Sequence, residues 1–248
     1  MFYACTIQTF NSLIIIHMKT TLFIITSALF ACGAYAQESS LYIKGGVNLA
    51  NVSTTSGGRI DNANMLTSFH IGFMGDLPLG KVVAIQPGLL FTGKGTKSQT
   101  GQPGDSYYYK ATSNPYYIEI PVNVVFKIPL EDKDKSSSFF IGAGPYAAIG
   151  IAGKNKTEGN AGLVAFNGSD KIEYSNDDPT TFNQQEGAGF GIMRRFDFGL
   201  NGTAGFELHS VLLSANYGYG LTKINSVAKN DDDLNKHRVF SVSVGIKL

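Results

Sequence analysis

The chain has 248 residues with a formal net charge of +1, and charged residues make up only 16% of it. This balanced charge excludes binding of nucleic acid through a basic stripe, because no such stripe is available to neutralise phosphates. With 29 glycines and 12% aromatic residues but no Trp, the composition favours many strands and turns over a helical bundle.

The first predicted element is a secretory signal peptide at residues 18–36. The segment MKTTLFIITSALFACGAYAQ has one lysine, an apolar run and the small-residue cleavage site Ala34-Tyr35-Ala36. The apolar run is too short for a spanning helix. Residues 1–17 carry no positive charge, so we expect translation to begin at Met18 and the mature domain to cover residues 37–248.

Cleavage after Ala36 would remove both cysteines of the chain, Cys5 and Cys32. The mature domain would then have no disulfide and no thiolate metal site. The alternative is a lipoprotein, in which Cys32 is acylated and retained.

Eight segments of the mature chain alternate apolar and polar residues with a period of two. No segment repeats apolar residues at helical spacing over the length that a helix needs, so the chain predicts an all-β fold. The predicted strands are residues 41–50, 68–77, 81–93, 115–128, 138–151, 195–208, 210–221 and 237–248.

The connections between these strands alternate in length. The short ones are residues 78–80, residues 129–137 and the turn at His209. The long ones are residues 51–67, 94–114, 152–194 and 222–236. Outer-membrane barrels have short periplasmic turns and long external loops. The pattern therefore predicts an eight-stranded antiparallel up-and-down transmembrane β-barrel with both termini on the periplasmic side.

The stretch YYIEIPVNVVFK, residues 116–127, raises the question of which face meets lipid. One side of this strand is apolar, and the other carries Glu119, Asn123 and Lys127. A soluble barrel would have Lys, Glu and Gln on its outer face, whereas the polar face of these strands is mostly Gly, Ser, Asn, Thr and Ala. Such small residues suit a narrow lumen, so we predict that the apolar face is outward.

Aromatic residues on the outward face fall near both strand ends, as in the interfacial girdles of membrane barrels. The core of a soluble sandwich is the alternative. Pro87, Pro121 and Pro145 predict β-bulges, because proline removes a ladder donor. The predicted girdles consist of Phe69, Phe91, Tyr116, Phe196, Tyr219 and Phe240 at the outer end and Phe126, Phe139 and Phe206 at the inner end.

Charged residues on the predicted lumen face form two groups. We expect an ion-pair network near the periplasmic floor, since unpaired charges in a poorly hydrated interior are costly. Lys44 and Asp76 lie on neighbouring strands and are its first expected pair. This structural network consists of Lys44, Asp76, Lys127, Glu207 and Lys247. A second lumen group at the outer end consists of Glu119, Arg195, Asp197 and His237.

The motifs that could carry chemistry are weak. A hydrolase site from Ser68, His70, Asp197 and His237 is conceivable, but inward histidines in a barrel more often complete a lumen hydrogen-bond network. The glycine-rich GAGPYAAIG lacks the helix of a phosphate loop. The acidic segments NDDDLN and SNDDP lack EF-hand spacing. We therefore predict no enzyme, no cofactor and no metal site.

Several collinear segments resemble strands of the porin-family, PorT-like outer-membrane β-barrel proteins common in Bacteroidetes. They are IKGGVNLANVS, AIQPGLLFTGKG, YYIEIPVNVVFK, FFIGAGPYAAIGIAG, DFGLNGTAGFEL and LLSANYGYGLTKIN, and the likeness runs from about residue 41 to the end. The chain departs from outer-membrane barrels in ending with Leu248, where an aromatic residue is usually read by the assembly machinery. The resemblance implies an outer-membrane location, with outer-membrane lipid and the barrel assembly machinery as partners.

The predicted role is a non-enzymatic structural or surface-interaction protein that presents long loops to an unknown ligand or protein. A passive channel, or porin, for small solutes is the alternative, and a surface enzyme ranks third. Lumen size distinguishes the surface role from the channel. Eight strands leave an interior just wide enough for side chains to fill, which favours the surface role.

Overall fold

A computed structural model of the chain describes residues 39–56, 59–62, 65–130, 137–162, 164–175, 192–224 and 235–248. The predicted signal peptide, most of the two acidic segments and the charged turn at residues 131–135 lie outside these ranges. Within them, no helix has the length and hydropathy needed to cross a bilayer.

The described residues form β-strands without a helix. The strands are β1 (Ser40–Ser56), β2 (Arg59–Asn62), β3 (Leu66–Pro78), β4 (Val83–Gly93), β5 (Thr96–Thr100), β6 (Tyr107–Pro129), β7 (Ser137–Ala161), β8 (Val164–Lys171), β9 (Glu173–Tyr174), β10 (Ile192–Met193), β11 (Phe196–Leu208), β12 (Val211–Gly220) and β13 (Lys236–Lys247).

Eight of these strands close into a ring in the order β1, β3, β4, β6, β7, β11, β12 and β13. Strand β13 pairs back with β1, and every pairing around the ring is antiparallel. Each ring strand overlaps one of the eight predicted strands. The predicted fold class, an eight-stranded up-and-down barrel, is confirmed.

The strands β6 and β7 are much longer than predicted. Above the barrel they continue to pair with each other as far as Tyr107 and Ala161. Strand β5 adds to the free edge of β6, and β8 adds to that of β7. Parts of the predicted loops 94–114 and 152–194 are therefore strands. Apart from Tyr107, Tyr109, Val164 and Phe166, most residues of these segments are polar or small, so the apolar alternation that marks the barrel strands is missing from them.

The predicted bulges at Pro87, Pro121 and Pro145 are wrong. The register is the same on either side of each proline. A proline lacks one backbone N–H donor but inserts no extra residue into the strand, so the strands pair in the same register on either side of it. The register shifts instead in the β6–β7 pair at Tyr116 and Tyr117, where Ile151 is the extra residue.

The apolar side of the barrel wall faces outward. On β6, Ile120 and Phe126 are 51% and 56% exposed, whereas Glu119 and Asn123 are buried. The same alternation holds around the ring, so the polar side faces the lumen. Outward aromatic rings contact one another at both ends of the wall. The contacts are Phe69–Phe91 at 5.9 Å and Phe91–Tyr116 at 5.2 Å at the outer end, and Phe139–Phe206 at 5.3 Å at the inner end.

Candidate functional site

At the mouth of the lumen that the sequence predicts to be periplasmic, Lys127 bridges two carboxylates. Its Nζ donates to Asp76 Oδ2 and to Glu207 Oε2, both at 2.6 Å. Asp76 also accepts a hydrogen bond from Gln86 Nε2 at 2.9 Å, and Glu207 accepts one from the Tyr42 hydroxyl at 2.6 Å. Each carboxylate thus has Lys127 as its charged donor and at least one neutral donor, and Glu207 has a second neutral donor in the Ser138 hydroxyl at 3.5 Å. We call Asp76, Lys127 and Glu207 the periplasmic ion layer.

The structure places Lys247 beside this layer but places Lys44 elsewhere. Asp76 lies opposite Ser40, four residues below Lys44, which is about 13 Å along the strand. The expected pair Lys44–Asp76 is therefore wrong, and Lys44 Nζ donates instead to Asn216 Oδ1 at 3.3 Å. The recess at the periplasmic mouth is lined by Asp76, Lys127, Glu207 and Lys247.

An apolar layer crosses the lumen above this recess. Its side chains come from six different ring strands and are almost completely buried. Because these side chains form one contiguous buried cluster across a narrow eight-stranded barrel, the layer favours a lumen that is blocked at this end. The apolar layer consists of Tyr42, Met74, Ala84, Val125, Phe140 and Leu212.

A hydrogen-bonded chain centred on His70 occupies the middle of the lumen. His70 Nδ1 lies 2.7 Å from Asn48 Oδ1, and His70 Nε2 lies 2.9 Å from Ser243 Oγ. Asn48 Nδ2 donates to two backbone carbonyl oxygens and to the Thr92 hydroxyl. These three acceptors fix the orientation of the Asn48 amide group, so that its Oδ1 faces the His70 ring. His70 Nδ1 therefore donates to Asn48, and Nε2 accepts from the Ser243 hydroxyl.

In this hydrogen-bonded series, Ser243, His70 and Asn48 have the order of a nucleophile, a general base and an orienting amide. A substrate has no space there, because Ser243 is 1% exposed and the neighbouring cavity of about 50 Å³ holds only a few water molecules. The conceivable hydrolase set is also not assembled. Neither nitrogen of His70 bonds to Ser68 or Asp197. The geometry favours a structural network over a catalytic one.

Near the outer end of the lumen, Lys94 lies between two carboxylates. Its Nζ is 2.7 Å from Glu119 Oε2 and 2.9 Å from Asp197 Oδ2, and its side chain is 3% exposed. The Tyr146 ring lies 4.0 Å from the same Nζ, and the Tyr146 hydroxyl donates to Asp197. The Thr222 hydroxyl donates to the other Asp197 oxygen at 2.6 Å. We call Lys94, Glu119 and Asp197 the upper ion cluster.

Lys94 is a charged lumen residue that the sequence prediction missed, because it follows the predicted end of a strand. A signal was present in the alternation, since Lys94 continues the inward positions Leu90 and Thr92 of β4. If the alternation of inward and outward residues is continued to the next inward position after Thr92, Lys94 falls on the lumen side.

The other two members of the predicted outer group, His237 and Arg195, occupy different environments. His237 lies beside the upper ion cluster, with its Nε2 3.3 Å from the Tyr117 hydroxyl. Arg195 is exposed and donates to the backbone oxygen of Tyr174 at 3.2 Å. Unlike the buried Glu119 and Asp197, its side chain is exposed, although the backbone pairing with β7 still includes Arg195, whose carbonyl oxygen accepts from Gly150 N at 2.7 Å.

Cations and anions lie together at each end of the lumen. Lys44 and Glu119 line the same central cavity, which brings a second cation to the upper ion cluster. Lys247 does the same for the periplasmic ion layer. Each end therefore combines lysines with two carboxylates, and the recess at the inner end is also lined by Lys81. Opposite charges at close range reduce the cost of placing charge in a narrow interior.

Residues from the connections cover the outer mouth of the lumen. Tyr174 packs its ring edge-on against Tyr117 at 5.8 Å and donates to the Ala152 carbonyl oxygen at 2.8 Å. Around it, apolar side chains form a small buried cluster. This cap consists of Val52, Ile172, Met193 and Ile224, with Tyr174 packed against it.

Beyond the cap, four strands form an antiparallel sheet that continues the barrel wall. We call it the distal sheet, and it contains residues 96–100, 107–114, 152–161 and 164–171. On its outward face, Lys110 and Glu158 form an exposed ion pair. Their hydrogen bond lowers the pKa of Glu158 and raises the pKa of Lys110.

Residues 35–226 match the sequence model of a family described as outer membrane protein beta-barrel domain. A comparison with curated proteins finds no match. Among solved structures, Ail, the attachment invasion locus protein of Yersinia pestis, is 14% identical, with 86% of this chain and 100% of that chain covered and a TM-score of 0.38. Neisserial surface protein A has the same identity and coverage with a TM-score of 0.39. OprG from Pseudomonas aeruginosa is 9% identical over 85% of this chain and 95% of that chain, with a TM-score of 0.39.

Proposed function

Because this chain belongs to the family of outer membrane protein β-barrel domains, we propose that it is a non-enzymatic protein that acts at the cell surface through its distal sheet. The observation that carries the proposal is the division of the molecule into a filled barrel and an exposed sheet. The apolar layer lies across one end of the lumen, and the cap lies over the other end. The distal sheet lies on the side of the long connections, which in such barrels is the outside of the cell.

The distal sheet carries an aromatic and apolar patch on the face that continues the lumen side. Tyr107 and Val164 are 76% and 66% exposed, and Tyr109 and Phe166 lie beside them with ring centroids 6.3 Å apart. Exposed aromatic clusters rimmed by polar residues mark interaction sites. This patch supports a surface-interaction role, and its partner is a protein or glycan outside the cell.

A photo-crosslinker at Val164 tests the surface role. On intact cells we expect irradiation to produce a discrete adduct with a protein or glycan, because the side chain projects from the edge strand β8. The same crosslinker at Phe206, on the lipid-facing wall near the inner end, serves as the matched control and should give lipid adducts only. Failure of both Val164 and Tyr107 to give any non-lipid adduct would contradict the proposal.

The channel alternative predicts ion flow through the lumen. We expect the purified chain in planar bilayers to show no stable conductance steps, since the apolar layer lies across the lumen. A general porin in the same membranes is the positive control, and current recordings at both voltage polarities are the measurement. Large, steady steps from this chain would favour the channel over the surface role.

We also propose that export removes residues 18–36, that the barrel assembly machinery inserts the domain, and that the chain is of the PorT-like type. The cleavage site at Ala36 and the six family-like segments support these assignments. Sequencing the N-terminus of the membrane-inserted protein tests the first of them, and an acylated Cys32 would contradict it.

A further inference from the structure

Lysines gather on the outward face of the distal sheet, directly above the outer aromatic girdle. Tyr116 belongs to that girdle and shares the outward face of β6 with Asn114 and Thr112. The register shift next to Ile151 keeps Lys154, opposite Asn114, and Lys156, opposite Thr112, on this same outward face. Lys171 on β8 lies opposite Lys154 and joins the two.

These residues line a trough of about 710 Å³ on the outside of the protein. Its lower wall includes Ile151 and Tyr116, which continue the lipid-facing surface of the barrel. Its upper wall includes Lys154, Lys156 and Lys171. The trough is therefore apolar where it meets the membrane and cationic above it.

No carboxylate is found among the described residues that line the trough. Glu158, the nearest acid along β7 on the same face, is held by the ammonium group of Lys110 and by the Tyr108 hydroxyl. The trough thus presents a net positive charge and complements an anion.

The height of the lysines matches a lipid headgroup. Lys154 lies two residues above the level of Tyr116, which is about 7 Å along the strand. Interfacial aromatic rings sit at the headgroup level, and the headgroup region is roughly 5–8 Å thick on each side of a bilayer. A phosphate in that region comes within reach of these lysines.

We propose that this trough binds a phosphate-bearing lipid of the outer leaflet. The acyl chains lie against Ile151 and Tyr116, and the phosphate contacts the ammonium groups of Lys154, Lys156 and Lys171. The combination of an apolar lower wall with a cationic upper wall selects an anionic amphiphile over a soluble phosphate. Such a lipid would support the distal sheet where it leaves the membrane.

Native mass spectrometry of the purified full chain tests this site. The protein in neutral detergent is titrated with phosphatidic acid or with phosphatidylcholine of the same acyl chains. We expect phosphatidic acid to bind more tightly. The variant Lys154→Gln/Lys171→Gln should weaken its binding on the order of 25-fold, since each lysine near an anionic lipid surface contributes roughly fivefold.

The matched control is Lys81→Gln/Lys236→Gln, which removes the same charge away from the trough and should bind like the parent chain. Both variants change exposed or half-buried lysines, and the fast-migrating gel band verifies that each is folded. Equal losses in the two variants, or no preference for phosphatidic acid, would overturn the proposal. Displacement of the lipid by equimolar inorganic phosphate would assign the site to a soluble anion and overturn it as well. Because the assay uses purified protein, its outcome is independent of the crosslinking at Val164.

Discussion

Replacement of Lys94 by methionine is expected to lower the free energy of unfolding by about 3–5 kcal/mol. The substitution leaves Glu119 and Asp197 facing each other in the lumen, with side chains only 11% and 4% exposed. A buried carboxylate without its counterion is strongly destabilising, because little water replaces the lost ammonium group. Denaturant unfolding in lipid vesicles measures the loss.

The control for Lys94→Met removes all three charges together. The triple variant Lys94→Met/Glu119→Gln/Asp197→Asn keeps the side-chain shapes and should recover most of the lost stability, because neutral groups cost less to bury than unpaired charges. A single variant that unfolds at the same denaturant concentration as the parent chain would contradict the dry cluster seen in the structure.

Replacement of Asp76 by lysine is expected to lower the free energy of unfolding by about 2–4 kcal/mol. The new cation would lie beside Lys127 and Lys247 with only Glu207 as an anion. The expected loss is smaller than for Lys94, because the Lys127 and Glu207 side chains are 16% and 15% exposed and water screens part of the repulsion. The temperature at which the folded, fast-migrating gel band disappears should fall.

A second substitution identifies the partner of Asp76. Adding Lys127→Glu to Asp76→Lys restores two cations and two anions, so part of the lost stability should return. Adding Lys44→Asp should not restore it, because Lys44 lies four residues higher and contacts Asn216. Recovery with Lys44→Asp instead would mean that the β1–β3 register differs from the one described.

The barrel could be predicted because two independent patterns agree along the chain. Alternation marks each ring strand, as in the run from Ile118 to Lys127 on β6, and the alternating connection lengths give the up-and-down order. The distal sheet could not be predicted in the same way. Most of its residues are polar or small on both faces, so the stretch from Lys154 to Asn160 has no apolar period to reveal it.

The amino-acid sequence by itself determined which side of each strand faces lipid, because a period of two assigns every side chain to one face without reference to a neighbour. It could not determine which lumen charges meet. Those contacts depend on the stagger between strands and on where each strand ends, and both arise only when the ring closes. Lys94 lies in the lumen because its backbone still pairs with Pro115 one residue past the end of β4. Arg195 is exposed and donates to the backbone oxygen of Tyr174, a contact that only the tertiary structure reveals. Lys44 is separated from Asp76 by the register of β1 on β3.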